Sequence, residues 1–161
     1  MHIDIVAVGK LKESFWREAC AEYGKRLTRY VGLKVTEVDD RDPAKHGGDA
    51  KARFAEAADI MRNLPKGVPG QGGRLVCLDS GGTQMTSEEF SKFIEELELG
   101  GCKDLVFVIG GPTGIDDDLK KKADDLVSFG KITLPHNLAR VVLLEQIYRA
   151  YRIMRGEPYH K

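Results

Sequence analysis

The sequence predicts an α/β fold in which a mostly parallel sheet carries helices on both faces. Two observations indicate this class. Short apolar segments alternate with amphipathic segments five times along the chain, and glycines follow several of the apolar segments. Strands buried on both faces have this continuous apolar character, and helices that connect them cover both sides of the sheet. A chain of 161 residues is long enough for one core, so we expect a single domain over residues 1–161.

The composition narrows the class of protein further. Hydrophobic residues make up 42% of the chain and charged residues 31%, as in ordinary globular proteins. The 25 basic and 25 acidic side chains cancel, so any basic patch must be local. No apolar run approaches the roughly 18 residues of a membrane span, and the first residues lack the pattern of a signal peptide. We therefore expect a cytoplasmic protein with no membrane contact.

The cysteines and histidines predict no metal centre. The cysteines lack CxxC spacing and are expected to be buried thiols of a cytoplasmic protein: Cys20, Cys77 and Cys102. The histidines are scattered, without a second ligand at metal-binding spacing: His2, His46, His136 and His160.

The first βα unit is predicted from residues 3–8 and 14–30. The first segment is apolar and precedes Gly9, which indicates a buried strand. The second carries apolar residues three or four apart, which predicts an amphipathic helix with Ser14 as its cap. A solvated charged face is the favoured interpretation of the basic residues on its other side: Arg17, Lys25, Arg26 and Arg29.

The second unit follows the same plan. Residues 33–38 predict a strand, residues 39–49 a polar loop and residues 50–64, rich in Ala and Arg, a helix. Prolines and glycines dominate residues 65–73, which predicts a mobile surface connection.

Residues 74–78 predict the third strand, with residues 79–82 immediately beyond its end. Thr86 with Glu89 three residues later forms a capping box that opens a helix, and the glycine pair that begins at Gly100 ends this helix.

Residues 105–109 predict the fourth strand, and the glycine-rich turn 110–114 follows it. Three aspartates at 116–118 and three lysines at 120–122 bound a short helix in the order that the helix dipole favours. Residues 127–134 predict the fifth strand.

The last helix is predicted over residues 138–155, with Pro135 ending the strand before it and Asn137 as its cap. Apolar residues nearly encircle this helix, so it should pack against two surfaces. One is its own sheet; the other is either a second subunit or the rest of the same subunit, and the sequence leaves both open.

The turn at residues 110–114 is neither a GxGxxG motif nor a P-loop. It is either a plain tight turn that needs glycine or a ligand loop. Ligands of parallel α/β sheets bind beyond the carboxyl ends of the strands, here near residues 78–82, 110–114 and 134–136. Exposed main chain at three such ends suits recognition of an adenine or ribose edge.

The C-terminal segment is locally basic. From Asn137 onward two acidic residues face five basic ones: Arg140, Arg149, Arg152, Arg155 and Lys161. This excess suits phosphate binding, and a solvated helix face is the alternative. Near the end, Tyr159 can stack on an unpaired base and His160 can exchange a proton near neutral pH.

Six motifs spread over the whole chain together resemble the bacterial ribosomal RNA large subunit methyltransferase H family: IVAVGKLKE at 5–13, EYGKRL at 22–27, FVIGGP at 107–112, ITLPH at 132–136, LEQIYRA at 144–150 and PYH at 158–160. The resemblance implies a SPOUT-like α/β fold with a C-terminal trefoil knot and a homodimer. It also implies an enzyme that uses S-adenosylmethionine to methylate N3 of a pseudouridine in helix 69 of 23S rRNA, on the assembled ribosome and not on DNA.

The resemblance also implies site residues. Cofactor contacts would come from Leu78, Gly110, Gly111, Phe129, Gly130, Lys131, Ile132, Thr133 and Leu134. Reaction and RNA contacts would come from His136, Arg149, Tyr159 and His160. We hypothesise that Arg149 stabilises the anion that develops on the base, that Tyr159 positions the base, and that His160 or its water receives the proton.

Alternatives remain at this point. Arg149 could instead pair with Glu145 four residues earlier, and His160 could merely contact phosphate. A non-catalytic RNA- or ribosome-binding module and a SPOUT methyltransferase acting on tRNA are the rival functions.

Overall fold

The computed structural model describes residues 1–159, and within them five strands alternate with six helices. In chain order the elements are β1 (His2–Val8), α1 (Ser14–Leu27), β2 (Gly32–Val38), α2 (Pro43–His46), α3 (Asp49–Arg62), β3 (Gly73–Gln84), α4 (Ser87–Leu99), β4 (Asp104–Ile109), α5 (Asp117–Lys122), β5 (Asp125–Ser128) and α6 (His136–Met154).

The five strands form one sheet in the order β2-β1-β4-β3-β5, and every neighbouring pair is parallel. This confirms the predicted α/β class. All carboxyl ends consequently lie at one edge of the sheet. The register aligns three of these ends, because Leu78 of β3 pairs with Ile109 of β4 on one side and with Val127 of β5 on the other.

Helices cover both faces of the sheet, as predicted. On one face Ile5 and Phe107 pack with Leu27 of α1, Ile94 of α4 and Leu143 of α6. The other face presents the alternate strand residues, including Val6, Cys77 and Val108, to α3 and α5. Burial of each strand on both sides explains its nearly continuous apolar sequence. The trefoil knot stays a prediction.

β3 is longer than predicted. Residues 79–82 were expected beyond its end, but the strand continues through them to Gln84. Its pairing with β5 shifts register, so that both Leu78 and Thr83 pair with Val127. The physical reason is Gly82: a Cβ there would lie 2.6 Å from the carbonyl carbon of Leu126, so only glycine allows this close approach.

The fifth strand is shorter than predicted. It ends at Ser128, and residues 129–134 form a loop instead of strand. The Ser128 hydroxyl accepts a hydrogen bond from Gly130 N at 3.1 Å, and Gly130 has a φ of +115°. This local side-chain bond replaces a ladder hydrogen bond and turns the chain out of the sheet.

The helix ends also differ from the predictions. α1 stops at Leu27 instead of residue 30, and Glu13 precedes it as a cap position, with Ser14 already helical. Pro135 precedes α6, so Asn137 lies inside the helix and caps nothing. Two predicted helix starts do hold: Asp116 caps α5 by accepting from Asp118 N and Leu119 N, and the second start is that of α4. Thr86 and Glu89 form the capping box of α4, with bonds of 3.2 and 2.7 Å.

Two connections and two of the three thiols differ from the predictions. The predicted polar loop at 39–49 contains the short helix α2. The connection at 65–73 is anchored to the core, because Val68 is buried against the α3 and α5 face. Cys77 is a buried thiol whose burial raises its pKa to about 12, whereas Cys20 and Cys102 are only half-buried.

Among residues 1–159, no helix is long and apolar enough to cross a membrane.

Arg140 joins α6 to the ends of two strands. Its side chain is fully buried, its Nη1 lies 2.5 Å from Glu37 Oε1, and its Nη2 donates to the carbonyl of Gly9 at 2.9 Å. A buried guanidinium is stable only when its charge and donors find partners. Arg140 therefore fixes the start of α6 relative to β1 and β2.

We expect Glu37→Gln to lower the free energy of unfolding by about 1–3 kcal/mol in urea denaturation. The loss follows because the buried Arg140 charge keeps no carboxylate partner; it is smaller than for a fully buried pair because the Glu37 side chain is 32% exposed. Glu22→Gln is the control, since it removes the partner of the exposed Arg26 and should change stability little. Equal losses in the two variants would contradict this role of Arg140.

Candidate active site

A cavity of about 620 Å³ lies at the carboxyl edge of the sheet, beyond β3, β4 and β5. Its walls come from residues 78–80, from the turn after β4 and from the loop between β5 and α6. This volume is typical of sites for a small ligand or cofactor. Among residues 1–159, no group of His, Cys, Asp and Glu side chains is arranged to hold a metal ion.

The structure brings together nearly all of the residues that the family resemblance implied for cofactor binding. Lys131 belongs to the same loop but does not line the cavity. Their contact with a cofactor stays a prediction, although three distant segments do converge as the parallel sheet requires. The residues that line the cavity are Leu78, Gly110, Gly111, Phe129, Gly130, Ile132, Thr133 and Leu134.

The glycine turn is required by its own geometry as well as by the cavity. A Cβ on Gly110 would lie 2.7 Å from the Ile115 side chain and 2.9 Å from the Gly114 carbonyl carbon. Gly114 has a φ of +88°, and its N–H closes the turn by donating to Gly111 O at 3.0 Å. The tight-turn and ligand-loop interpretations of this motif therefore apply together, because the same tight turn forms a wall of the cavity.

α3, which lies on the face of the sheet opposite α1, supports this turn. The sequence did not predict this support. Arg53 Nη1 donates to the carbonyl of Thr113 at 3.2 Å. The carboxylate of Glu56 lies 3.6 Å from where a Cβ of Gly111 would stand, and it accepts Arg41 N at 2.9 Å. Burial raises the pKa of Glu56. Its signal in the sequence is a lone acid among the apolar positions of α3.

Ser128 is a second residue that the sequence analysis missed. It is buried in the wall of the cavity, and its hydroxyl lies 3.3 Å from Ser80 O and 3.1 Å from Gly130 O. The same oxygen accepts from Gly130 N. Ser128 thus joins the end of β3 to the start of the loop. The signal in the sequence was a serine at the end of an apolar segment, directly before Phe129 and Gly130.

His136 lies where the cavity meets the first turn of α6. Its Nε2 would stand 3.3 Å from a Cβ on Gly9, so the ring packs closely on the loop after β1. Burial, and next the positive charge of Arg140, lowers the pKa of His136. The imidazole is therefore neutral at neutral pH and adds no positive charge to the cavity.

Arg149 and Tyr159 lie together, but away from the cavity. Two nitrogens of Arg149 donate to Glu145 Oε1 at 2.7 and 2.9 Å, which is the pair that the spacing allowed. The Arg149 guanidinium also lies 4.8 Å from the centre of the Tyr159 ring, whose hydroxyl donates to the same Glu145 oxygen at 3.3 Å. Burial raises the pKa of Tyr159 to about 12, so the phenol stays protonated. His160 lies outside the described residues.

Within one chain the cavity and the Arg149–Tyr159 cluster are far apart. Arg149 follows His136 by 13 residues on one continuous helix. At about 1.5 Å per residue this separates their backbones by about 20 Å along the axis of α6. The residues predicted to carry the reaction and those predicted to hold the cofactor therefore form two separate groups.

Comparison with known proteins supplies the class. A family model described as "Predicted SPOUT methyltransferase" matches residues 1–160, which places the chain among the SPOUT methyltransferases. Proteins named "Ribosomal RNA large subunit methyltransferase H" are 46% identical in Carboxydothermus hydrogenoformans and 44% identical in an Exiguobacterium species, each match covering 100% of both chains. The chain belongs to the ribosomal RNA large subunit methyltransferase H family, which confirms the resemblance.

Among solved structures, the chain is matched to the SpoU methyltransferase AviRb from Streptomyces viridochromogenes, in complex with AdoMet. It is 12% identical, with a TM-score of 0.46, and the match covers 97% of this chain and 59% of that one.

We expect Ser128→Ala to weaken S-adenosylmethionine binding about tenfold in isothermal titration calorimetry. The variant should also lose about 1–3 kcal/mol of unfolding free energy, because Gly130 N keeps no partner. Ser80→Ala is the matched control: it removes a hydroxyl from the same wall that makes no hydrogen bond to a described residue. Wild-type affinity in Ser128→Ala, or equal losses in both variants, would contradict the positioning role of Ser128.

Proposed function

We propose that this chain transfers the methyl group of S-adenosylmethionine to N3 of a pseudouridine in helix 69 of 23S rRNA, on the assembled ribosome. The observation that supports this most directly is the convergence of three strand ends on one cavity lined by the residues of the family motifs. The names of relatives 44–46% identical over their full length support a large-subunit rRNA substrate.

The cavity suits S-adenosylmethionine in its charge as well as its size. Neither Lys nor Arg is among the described residues that line it, and the carboxylate in its wall, Asp79, is paired with Lys120 at 3.3 Å. The neutral state of His136 removes the remaining cation that would repel a sulfonium. Apolar side chains such as Leu78 and Phe129 offer a surface for an adenine ring, and the glycine turn leaves main-chain groups accessible to its edge.

S-adenosylmethionine supplies an electrophilic methyl group, and the sulfur retains the bonding electron pair when the new nitrogen–carbon bond forms. The chain must hold the acceptor nitrogen in line, keep water out and deal with the N3 proton. In this proposal the Arg149 guanidinium stabilises the negative charge that develops on the base. Tyr159 packs against the base, and His160 or a water held by it receives the proton.

The Arg149–Tyr159 cluster suits this task because it holds a cation and an aromatic ring at one place. Glu145 orients both groups through a single oxygen, Oε1. A guanidinium beside a ring is a common platform for an unpaired base. The pairing with Glu145 is therefore compatible with a role in the reaction, since Glu145 fixes the orientation of the Arg149 side chain.

A homodimer would resolve the separation between cavity and cluster. The side of α6 that is half-buried within one chain carries Leu138, Val142 and Ile153 along with Arg149. Ile132 of the cavity loop is 73% exposed. Contact with a second copy would cover these apolar residues. We therefore propose a composite site in which one subunit holds the cofactor and its partner supplies Arg149, Tyr159 and His160.

The test of function is methyl transfer to three substrates: 70S ribosomes, free 23S rRNA and tRNA. We expect transfer to 70S ribosomes, and a loss of about 100-fold or more in kcat for Arg149→Ala because the developing charge loses its partner. Lys92→Gln, an exposed change on α4, is the control. Near wild-type activity of Arg149→Ala would contradict its role. Transfer to tRNA alone, or no heat on addition of S-adenosylmethionine, would favour the rival functions.

The composite site is tested by mixing subunits. Gly110→Ala disturbs the cavity and Arg149→Ala the cluster, and each homodimer should be nearly inactive. Random exchange makes half of the dimers mixed, each with one intact site of two, so activity should recover to about a quarter of wild type. Absence of recovery between variants that fold and exchange would contradict the composite site, as would a monomer in sedimentation at micromolar concentration.

A further inference from the structure

A second cavity of about 330 Å³ lies at the other end of α6, where that helix meets the end of α1. We call it the basic pocket, and its lining includes Lys25, Arg26, Arg29, Tyr30, Tyr148 and Arg152. The sequence favoured a solvated face for the basic residues of α1. The structure confirms that these side chains are exposed, and it adds that Lys25, Arg26 and Arg29, unlike Arg17, surround a concave site together with residues of α6.

The basic pocket concentrates positive charge in a chain whose net charge is zero. Its lining has four basic side chains and one acidic side chain, Glu22, and the carboxylate of Glu157 lies 2.6 Å from Arg152, which leaves two positive charges. The ends of two helices, α1 and α6, lie here, and each contributes roughly half a negative charge. About one positive charge therefore remains for a ligand.

Two of the four cations have no partner within the described chain. Arg26 pairs with Glu22 at 2.8 Å, and Arg152 lies 2.6 Å from Glu157 and donates to Tyr148 at 2.9 Å. Lys25 and Arg29 are exposed, and neither makes an ion pair with any residue in 1–159. These two side chains can take an anionic ligand without breaking an existing pair.

Capping of α1 does not account for Lys25 and Arg29. The carbonyl groups at the end of α1 already have partners: Gly24 O accepts Thr28 N at 3.3 Å, Lys25 O accepts the Thr28 hydroxyl at 2.7 Å, and Leu27 O accepts Tyr30 N at 2.9 Å. Basic side chains at the end of a helix often donate to its free carbonyl groups. Here the main chain and the Thr28 hydroxyl already donate to most of them.

The basic pocket is continuous with the Arg149–Tyr159 cluster. Tyr148 lines the pocket, and the centre of its ring lies 5.0 Å from that of Tyr159. Arg152 also belongs to both groups, because its guanidinium lies 5.6 Å from the Tyr159 ring. A chain of nucleotides whose base met Tyr159 would therefore run past Tyr148 and Arg152.

We infer that the basic pocket binds a phosphodiester of the RNA substrate, with Lys25 and Arg29 as its principal contacts. The inference rests on the proposed function, because it takes the Arg149–Tyr159 cluster as the place where the target base binds. Lys25 and Arg29 add affinity and orientation for the RNA backbone, and they take no part in methyl transfer.

The experiment measures equilibrium binding of 70S ribosomes and of free 23S rRNA as a function of salt, which requires no activity. The double variant Lys25→Gln, Arg29→Gln should bind about tenfold or more weakly near physiological salt. The slope of log K against log salt should become shallower by about 1 to 2, one unit for each lost phosphate contact. Affinity for S-adenosylmethionine should match wild type, because the cavity lies at the other end of α6.

Lys66→Gln, Lys122→Gln is the matched control, since it removes two exposed lysines away from the basic pocket. Unchanged affinity and salt slope in the Lys25, Arg29 variant, or equal changes in the control, would overturn the inference, as would a wild type that binds neither RNA. Methyl transfer by the same samples tests the proposed function separately. Suppose that wild type binds RNA with the expected salt dependence but transfers no methyl group. The proposed methyltransferase function would then be refuted, and the basic pocket would remain a phosphate-binding site of an RNA-binding protein without that activity.

Discussion

The cavity depends on the parallel pairing of β3 with both β4 and β5. This pairing aligns Leu78 with Ile109 and with Val127, so three chain segments leave the sheet at the same level. Main chain and small side chains therefore form the walls, and few long side chains are needed to build them. Contacts such as those of Ser128 and Arg53 hold the departing segments in place.

The cavity and the basic pocket differ in charge as well as position. Neither lysine nor arginine lines the cavity among the described residues, whereas four basic side chains surround the basic pocket. A cationic cofactor and an anionic nucleic acid would therefore be attracted to opposite ends of α6. The neutral total charge of the chain conceals this division, because the 25 basic and 25 acidic side chains cancel in the sum.

The sequence was sufficient for the architecture because alternating apolar and amphipathic segments reflect burial directly. It failed where contacts between distant residues decide the local structure. Residues 79–82 were expected beyond the end of the third strand, yet Gly82 continues the strand because it lies against Leu126. The β-branched residues after Gly130 suggested a strand, and the Ser128 hydroxyl turns them into a loop. The burial of Glu56 depends on its packing behind the glycine turn.

The candidate site was predictable to different degrees. The three strand ends followed from the parallel sheet alone, whereas Arg149 and Tyr159 were singled out by family resemblance. Periodicity gave no reason to prefer Arg149 over the other arginines of α6. Their separation from the cavity follows from the continuity of α6 over 19 residues, and the helix predicted over residues 138–155 already implied it.

The strand order also determines when this chain can fold during its own synthesis. β1 lies inside the sheet and needs β4 as a neighbour, with Asp4 paired to Val106. The face of the sheet beside α1 is covered only after α6 has been made. An N-terminal fragment would thus expose both an unpaired strand edge and an apolar face, which favours aggregation. The sheet can therefore be covered on this face only once α6 has been made, and until then a nascent chain of this protein exposes the same edge and face.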